Sequence, residues 1–440
     1  MKTAASLTIA ALAALSSSSF VLAQEAAPAT PATTAAGHAA DPLTAERYRT
    51  TIENLEHERG PYDPALGETL LSLGLVLQHE GRDAEALDAL NRALHIHRVN
   101  EGLQSMTQVP ILDALIKSNV ATENWEELDK NYHQLLWTYR RNYDPSDEAL
   151  LPVIERVGSW KVRAYTEDLL KQGGYSTLEE AERMYTDTVK IMEDKYGESD
   201  PRLISPLYGV AVTQYQLLIE SQNKPLREFS RMGSPTRSYL VCRTDPRTGQ
   251  TYCTTVQGIN PDYYADAERT RQFEQSRIIG KAGAALEQIS AIYGAHPELP
   301  ARDHAAALVH YGDWNLVMRR RSTAMEAYKQ AIHVLQASPE DRDEIEALFG
   351  VPKQIPSLTL PLPEVDAHQA QKTPEFVQLR LDVSEAGAPR NVEVVESSDP
   401  DDRRARREAK RDIRSRIFRP RFVNGEPAAT EGLKFRWVVK

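Results

Sequence analysis

Cys242 and Cys253 are the only two cysteines among 440 residues, and their setting, SYLVCRTDPRTGQTYCTTV, makes thiol oxidation the first chemistry to consider. Tyr, Val, Leu and Thr crowd both flanks, while Asp245-Pro246 and Gly249 supply a polar turn between them. A hairpin centred between Arg247 and Thr248 sets the two thiols directly opposite each other, as a disulfide requires. A metal site is the poorer reading, because no histidine lies within the hairpin. A bond closing so short a loop is expected to contribute about 2–3 kcal/mol.

The other polar clusters promise less. His95 and His97 are two apart on a predicted helix and so do not share a face, and His304 and His310 are six apart, wrong for two ligands on one face. The acidic run at 399–402 reads as helix capping, with a loose calcium site as its alternative. No GxSxG, HExxH, phosphate loop or dinucleotide fingerprint occurs. Nine arginines between 403 and 421 form a basic run whose plain reading is a solvated helix face, and whose sharper reading is a surface for an anionic partner. Arg407 and Arg411 are the members taken as partner-binding. No enzyme, cofactor, metal or small-molecule substrate is expected.

The elements behind these residues repeat. Residues 67–100 carry Leu73-Gly74, Leu77, Ala86, Leu90 and Ala93, with Gly81-Arg82-Asp83 as the turn. Small residues at Gly74, Ala86 and Ala93 let two antiparallel helices approach, and the large ones fill the gap. Leu128, Tyr132 and Leu135 repeat the second half after 42 residues, Ala181, Tyr185 and Thr188 repeat it again, and Tyr311-Gly312, Asn315, Ala324, Tyr328 and Ala331 give the clearest late copy. This pattern resembles the tetratricopeptide repeat, in the longer form of kinesin light chains. The resemblance implies an α-helical solenoid over residues 43–336, of four or five repeats, with the cysteine hairpin inserted at about 224–260 between the two helices of a degenerate repeat. It also implies a peptide- or protein-binding groove. By position in the repeat, Ser72, Gln78 and His79 would line its first part and His310 and Asp313 its last.

Beyond the repeats, prolines at 352, 356, 361 and 363 mark residues 337–373 as an extended linker. The period then changes to two: Val377, Leu379, Leu381 and Val383 alternate with polar residues, and a turn leads to a second strand at 391–397. A helix follows, with Asp399 as cap, Pro400 at its first position and Ala405, Ala409, Ile413 and Ile417 as its apolar stripe. Phe418-Arg419-Pro420 ends it, Asn424-Gly425 turns the chain, and a last strand points Leu433, Phe435, Trp437 and Val439 inward. Residues 374–440 thereby resemble the TonB C-terminal domain, through the VVESS, FRP and NGEP motifs and the aromatic final strand. The fold class expected is α+β multidomain: a tetratricopeptide solenoid followed by a small ββαβ TonB-like domain. That resemblance implies docking to an envelope or outer-membrane protein by strand addition, or, as the alternative, energy transduction for transmembrane transport.

Compartment is read from the first residues. Lys2, the apolar run at 7–15 and Val21 and Ala23 before Gln24 form a cleavable signal peptide over 1–23, with an uncleaved inner-membrane anchor as the alternative. Residues 24–42, rich in Ala, Pro and Thr, read as a flexible leader. The net charge is −11; residues 374–440 hold 15 Lys and Arg against 12 Asp and Glu, leaving −14 on the rest. An acidic body excludes general nucleic-acid binding. The sequence therefore describes a non-enzymatic periplasmic adaptor for protein or peptide partners.

Overall fold

The structure, a computed structural model, describes residues 42–171, 174–355, 375–399 and 401–438. The expected signal peptide and leader, Pro356, Pro361, Pro363, Pro400 and Val439 lie outside the described residues.

Helix α1 (Pro42–Arg59) packs on the first of five antiparallel helix pairs. These are α2 (Pro64–His79) with α3 (Asp83–Glu101), α4 (Val109–Ala121) with α5 (Trp125–Asn142), α6 (Leu151–Thr166) with α7 (Gly174–Tyr196), α8 (Ile204–Asn223) with α9 (Pro261–Ala295), and α10 (Ala301–Val317) with α11 (Arg321–Ala337). Five is thus the repeat number among the described residues. The start signals are local: Asp63 accepts the Ala65 N–H ahead of α2, and Asn260 that of Asp262 ahead of α9, each with proline at the first helical position.

Glycines set the separation within pairs. A Cβ at Gly74 would lie 2.6 Å from Leu90, and one at Gly312 2.4 Å from Tyr328. The ring of Tyr185 is held between Gly158 and Gly209, at 2.2 and 2.3 Å from where their Cβ atoms would be. Large residues of one helix therefore rest on bare backbone of the next, and one continuous apolar core runs from Ala45 to Trp314.

Between α8 and α9 stands the expected hairpin, β1 (Thr236–Thr244) against β2 (Thr251–Ile259). Cys242 faces Cys253 in the ladder and the two are disulfide-bonded.

Residues 337–355 correct the linker expectation. They form α12 (Asp343–Phe349) and β3 (Lys353–Gln354), with Phe349 and Pro352 buried. The prolines forbade a long helix but not a short one ahead of them.

The C-terminal sheet has the order β5 (Pro389–Ser397), β4 (Phe376–Val383), β9 (Thr430–Val438), all antiparallel. Val377, Leu379, Leu381 and Val383 are buried under α13 (Arg403–Ser415). The helix begins later than its Asp-Pro signal suggested. Asp402 is the cap, accepting from the N–H groups of Arg404 and Ala405, whereas Asp399 closes a turn by accepting the Asp401 N–H. Ala405, Ala409 and Ile413 form its buried stripe; Ile417 lies beyond its end and packs on the last helix pair instead. After α13 come β6 (Phe418–Arg419), paired with β3, and the hairpin β7 (Arg421–Val423) and β8 (Glu426–Ala428). Asn424 and Gly425 turn that hairpin with φ of 52° and 79°, the left-handed pair that a two-residue connection requires.

Gly312→Leu is expected to cost about 1–3 kcal/mol or more, since the Tyr328 ring cannot retreat. Lys329→Ala removes an exposed pair with Glu426 (2.8 Å) and is expected to cost under about 1 kcal/mol. Thermal melts of the two variants that coincide contradict this packing.

Candidate partner-binding surfaces

The first helix of each pair lies beside the first helix of the next, and polar side chains tie them in series. From α2, Gln78 Nε2 donates to the Ala114 carbonyl (2.6 Å) and to Ser118 Oγ (2.7 Å) on α4. Asp113 of α4 pairs with Arg156 of α6 at 2.8 Å. The Tyr165 hydroxyl of α6 donates to Glu220 of α8, and Tyr208 of α8 shares a 3.0 Å hydrogen bond with His310 Nδ1 of α10.

The seam ends on α10. Asp313 is buried and receives a two-pronged contact from Arg419, with Nε to Oδ1 at 3.0 Å and Nη2 to Oδ2 at 2.6 Å. The Tyr328 hydroxyl donates to the same Oδ1 at 2.7 Å, and Arg419 Nη1 donates to the Leu348 carbonyl at 3.2 Å. The guanidinium lies 5.8 Å from the ring centres of both Tyr328 and Phe349. Burial pushes the Arg419 guanidinium down, but the Asp313 charge holds it above its ordinary value; burial and then that same charge raise the Tyr328 phenol. Arg419, the centre of the FRP motif, thus anchors the C-terminal sheet to the last helix pair. The described residues of the C-terminal unit thus pack directly on the last helix pair. Ile355, Ile417 and Phe422 share a core with α10 and α11.

This arrangement gives three of the expected groove residues contacts within the fold. Gln78 Nε2 and His310 Nδ1 join neighbouring elements, and both carboxylate oxygens of Asp313 are engaged inside the fold. Composition alone could not separate the two uses. The signal available was context: Asp313 stands between the close-approach Gly312 and the buried Trp314, where a carboxylate needs a cation. The other two groove residues remain on the surface. Ser72 is half-buried, its hydroxyl donating to the Glu68 carbonyl, and His79 is exposed. With Glu68 and Leu75 (49% exposed) they occupy one face of α2.

Arg407 and Arg411 are exposed on α13, away from its buried stripe. His95 is exposed on α3, while His97 is half-buried against Gly67. A second cluster joins α5, α6 and α7. Lys161, buried, donates to Glu180 at 2.7 Å and lies 3.2 Å from His133, and Trp160 Nε1 donates to Asp129 at 2.8 Å. Its hydrogen bond with Asp129 raises the His133 imidazole. Each of these groups has a partner on another helix, so the cluster reads as a tie. Among the described residues, no group of His, Cys, Asp and Glu could hold a metal ion, and no helix is long and apolar enough to cross a membrane.

Together these features define a class: a solenoid of helical hairpins closed at one end by a small antiparallel α/β unit. No protein-family model and no curated protein matches the chain. Solved structures similar to it include the kinesin light chain repeats of Podosopora anserina, described as nearly identical TPR-like repeats, at 13% identity over 41% of this chain and 80% of that one, with a TM-score of 0.33. BtubC (BKLC) from P. vanneervenii is 12% identical over 75% of this chain and 96% of that one, with a TM-score of 0.36.

Asp313→Ala and Arg419→Ala are each expected to cost about 3–5 kcal/mol, because each strands a buried charge. The double variant is expected to cost less than the sum; additive losses in chemical denaturation contradict the pairing. His310 provides a pH test. Burial pushes its imidazole from 6.5 down to about 4, outweighing the opposing pull of Asp313. Its neutral form therefore supports the fold above the unfolded value, and that support is lost as pH falls through 6.5 toward 4, by about 3 kcal/mol at most. Relative to His310→Gln, the wild type should lose stability across this window and show no change above neutrality.

Proposed function

We infer that the protein is a non-enzymatic adaptor, exported to the periplasm by a signal peptide at 1–23, which holds a protein or peptide partner against its helical array. The observation that carries this reading is the exposed face of α2, with Glu68, Ser72, Leu75 and His79 in line along the helix. A leucine left half in water beside a histidine and a carboxylate suits a short amphipathic segment. Helix pairs that contact only their neighbours leave such inner faces continuous from one pair to the next.

The C-terminal sheet serves as a second docking module of TonB-like type, in keeping with its FRP and NGEP motifs. Its outer strand β5 has an open edge, and Arg407 and Arg411 stand on α13 for an acidic envelope partner. The Arg419 anchor favours a docking module fixed to the array over one that transmits force along a free tether.

Terminal sequencing of the mature protein is expected to find a start at or near Gln24 in the soluble periplasmic fraction; Met1 in a membrane pellet overturns the export reading. A photo-crosslinking residue at Leu75 or His79 is expected to capture a partner in cells, while one at the outward His95 does not. Equal capture from both sides removes the groove.

A further inference from the structure

The disulfide hairpin plays no part in the reading above, and its exposure is unlike that of any other element. Both faces of β1 and β2 are open, with Leu240 at 69%, Tyr252 at 57%, Val256 at 43% and Ile259 at 70% exposed. The strands pack chiefly on each other. Two strands alone are marginal in water, and a sheet gains stability when it has more.

The direction of its backbone groups follows from the ends of the ladder. Asp245 N–H donates to Gln250 and Asn260 N–H to Pro235, so the alternation of an antiparallel pair leaves Thr251, Cys253, Thr255 and Gln257 with their N–H and C=O groups turned to the free edge of β2. Ile259 ends this run, because its carbonyl accepts from the Tyr239 hydroxyl. Proteins usually blunt such an edge with charge, proline or a bulge. β2, TYCTTVQGI, has none of these.

The charge pattern chooses the occupant. The chain carries −11, so two copies repel except where they meet through uncharged surface. Pairing β1 with its own copy would set Arg237 opposite Arg243 twice, whereas β2 holds no charge to oppose. We propose that β2 pairs antiparallel with β2 of a second copy, forming a four-stranded sheet across a two-fold axis. The register that uses all four outward residues sets Thr251 against Gln257 of the second copy and Cys253 against its Thr255. It then places Tyr252 opposite Val256 and Thr254 opposite Thr254, aromatic–β-branched and threonine pairs that stabilise adjacent strands.

The register makes the test specific. Thr254 meets itself at a non-hydrogen-bonded position, where Cα atoms lie about 4.5 Å apart, within disulfide reach. Under mild oxidation of the full-length chain, Thr254→Cys is expected to form a covalent dimer. Val241→Cys, on the same face but on the outer strand, is not. Light scattering should give twice the chain mass for the wild type, and Thr254→Lys, exposed and harmless to the hairpin, should weaken association by roughly tenfold or more. A wild type that stays monomeric at every concentration overturns the proposal. So does equal crosslinking by both cysteine variants, or protection of the β2 amides only when a foreign extended peptide is added.

Discussion

Burying the Asp313 carboxylate is costly unless a cation comes with it, and Arg419, over a hundred residues later, supplies one. Placing that arginine beneath the last helix pair fixes much else. β6 runs where Arg419 can reach, β3 pairs with it, and Phe349 of α12 lies against Tyr328 and Phe422. The array and the C-terminal sheet thus share one boundary core. Its two-pronged geometry ties the two elements in one orientation. A hydrophobic replacement of like volume could serve equally well energetically, but it would not demand one orientation.

The same economy runs along the array. Each pair is closed by apolar contact, with Leu90, Tyr185 and Tyr328 resting on glycine backbone. Successive pairs are then aligned by polar ties, among them Gln78 to Ser118, Asp113 to Arg156, Tyr165 to Glu220 and Tyr208 to His310. Apolar packing resists separation but says little about sliding, whereas a hydrogen bond breaks when register shifts by a fraction of an ångström. The polar composition of the first helices of the pairs therefore overstates how many of their polar groups face water.

The β1–β2 hairpin answers to neither constraint. Its disulfide and ladder hold it together locally, and nearly every other side chain on it is in water. Such an element adds little to the chain's own core, and its uncharged edge stays open to the pairing proposed above.

Sequence alone determined what depends on near neighbours. Period 3.6 with glycine–aromatic offsets specified the helix pairs; period two in 376–383, the Asn424-Gly425 turn and the mirrored cysteines specified the sheets, because each is enforced within a few residues. Helix boundaries were less legible where signals compete, as when Asp399-Pro400 and Asp402 both offered a cap and the chain used the later one. Tertiary structure decided which polar residues are structural and which are free. Gln78 and His79 are adjacent in sequence, yet one clamps α4 and the other faces water. It also decided that the proline-rich stretch begins as a packed helix and strand rather than a tether. Both outcomes turn on partners far away in the chain, and no local pattern encodes the distance between Asp313 and Arg419.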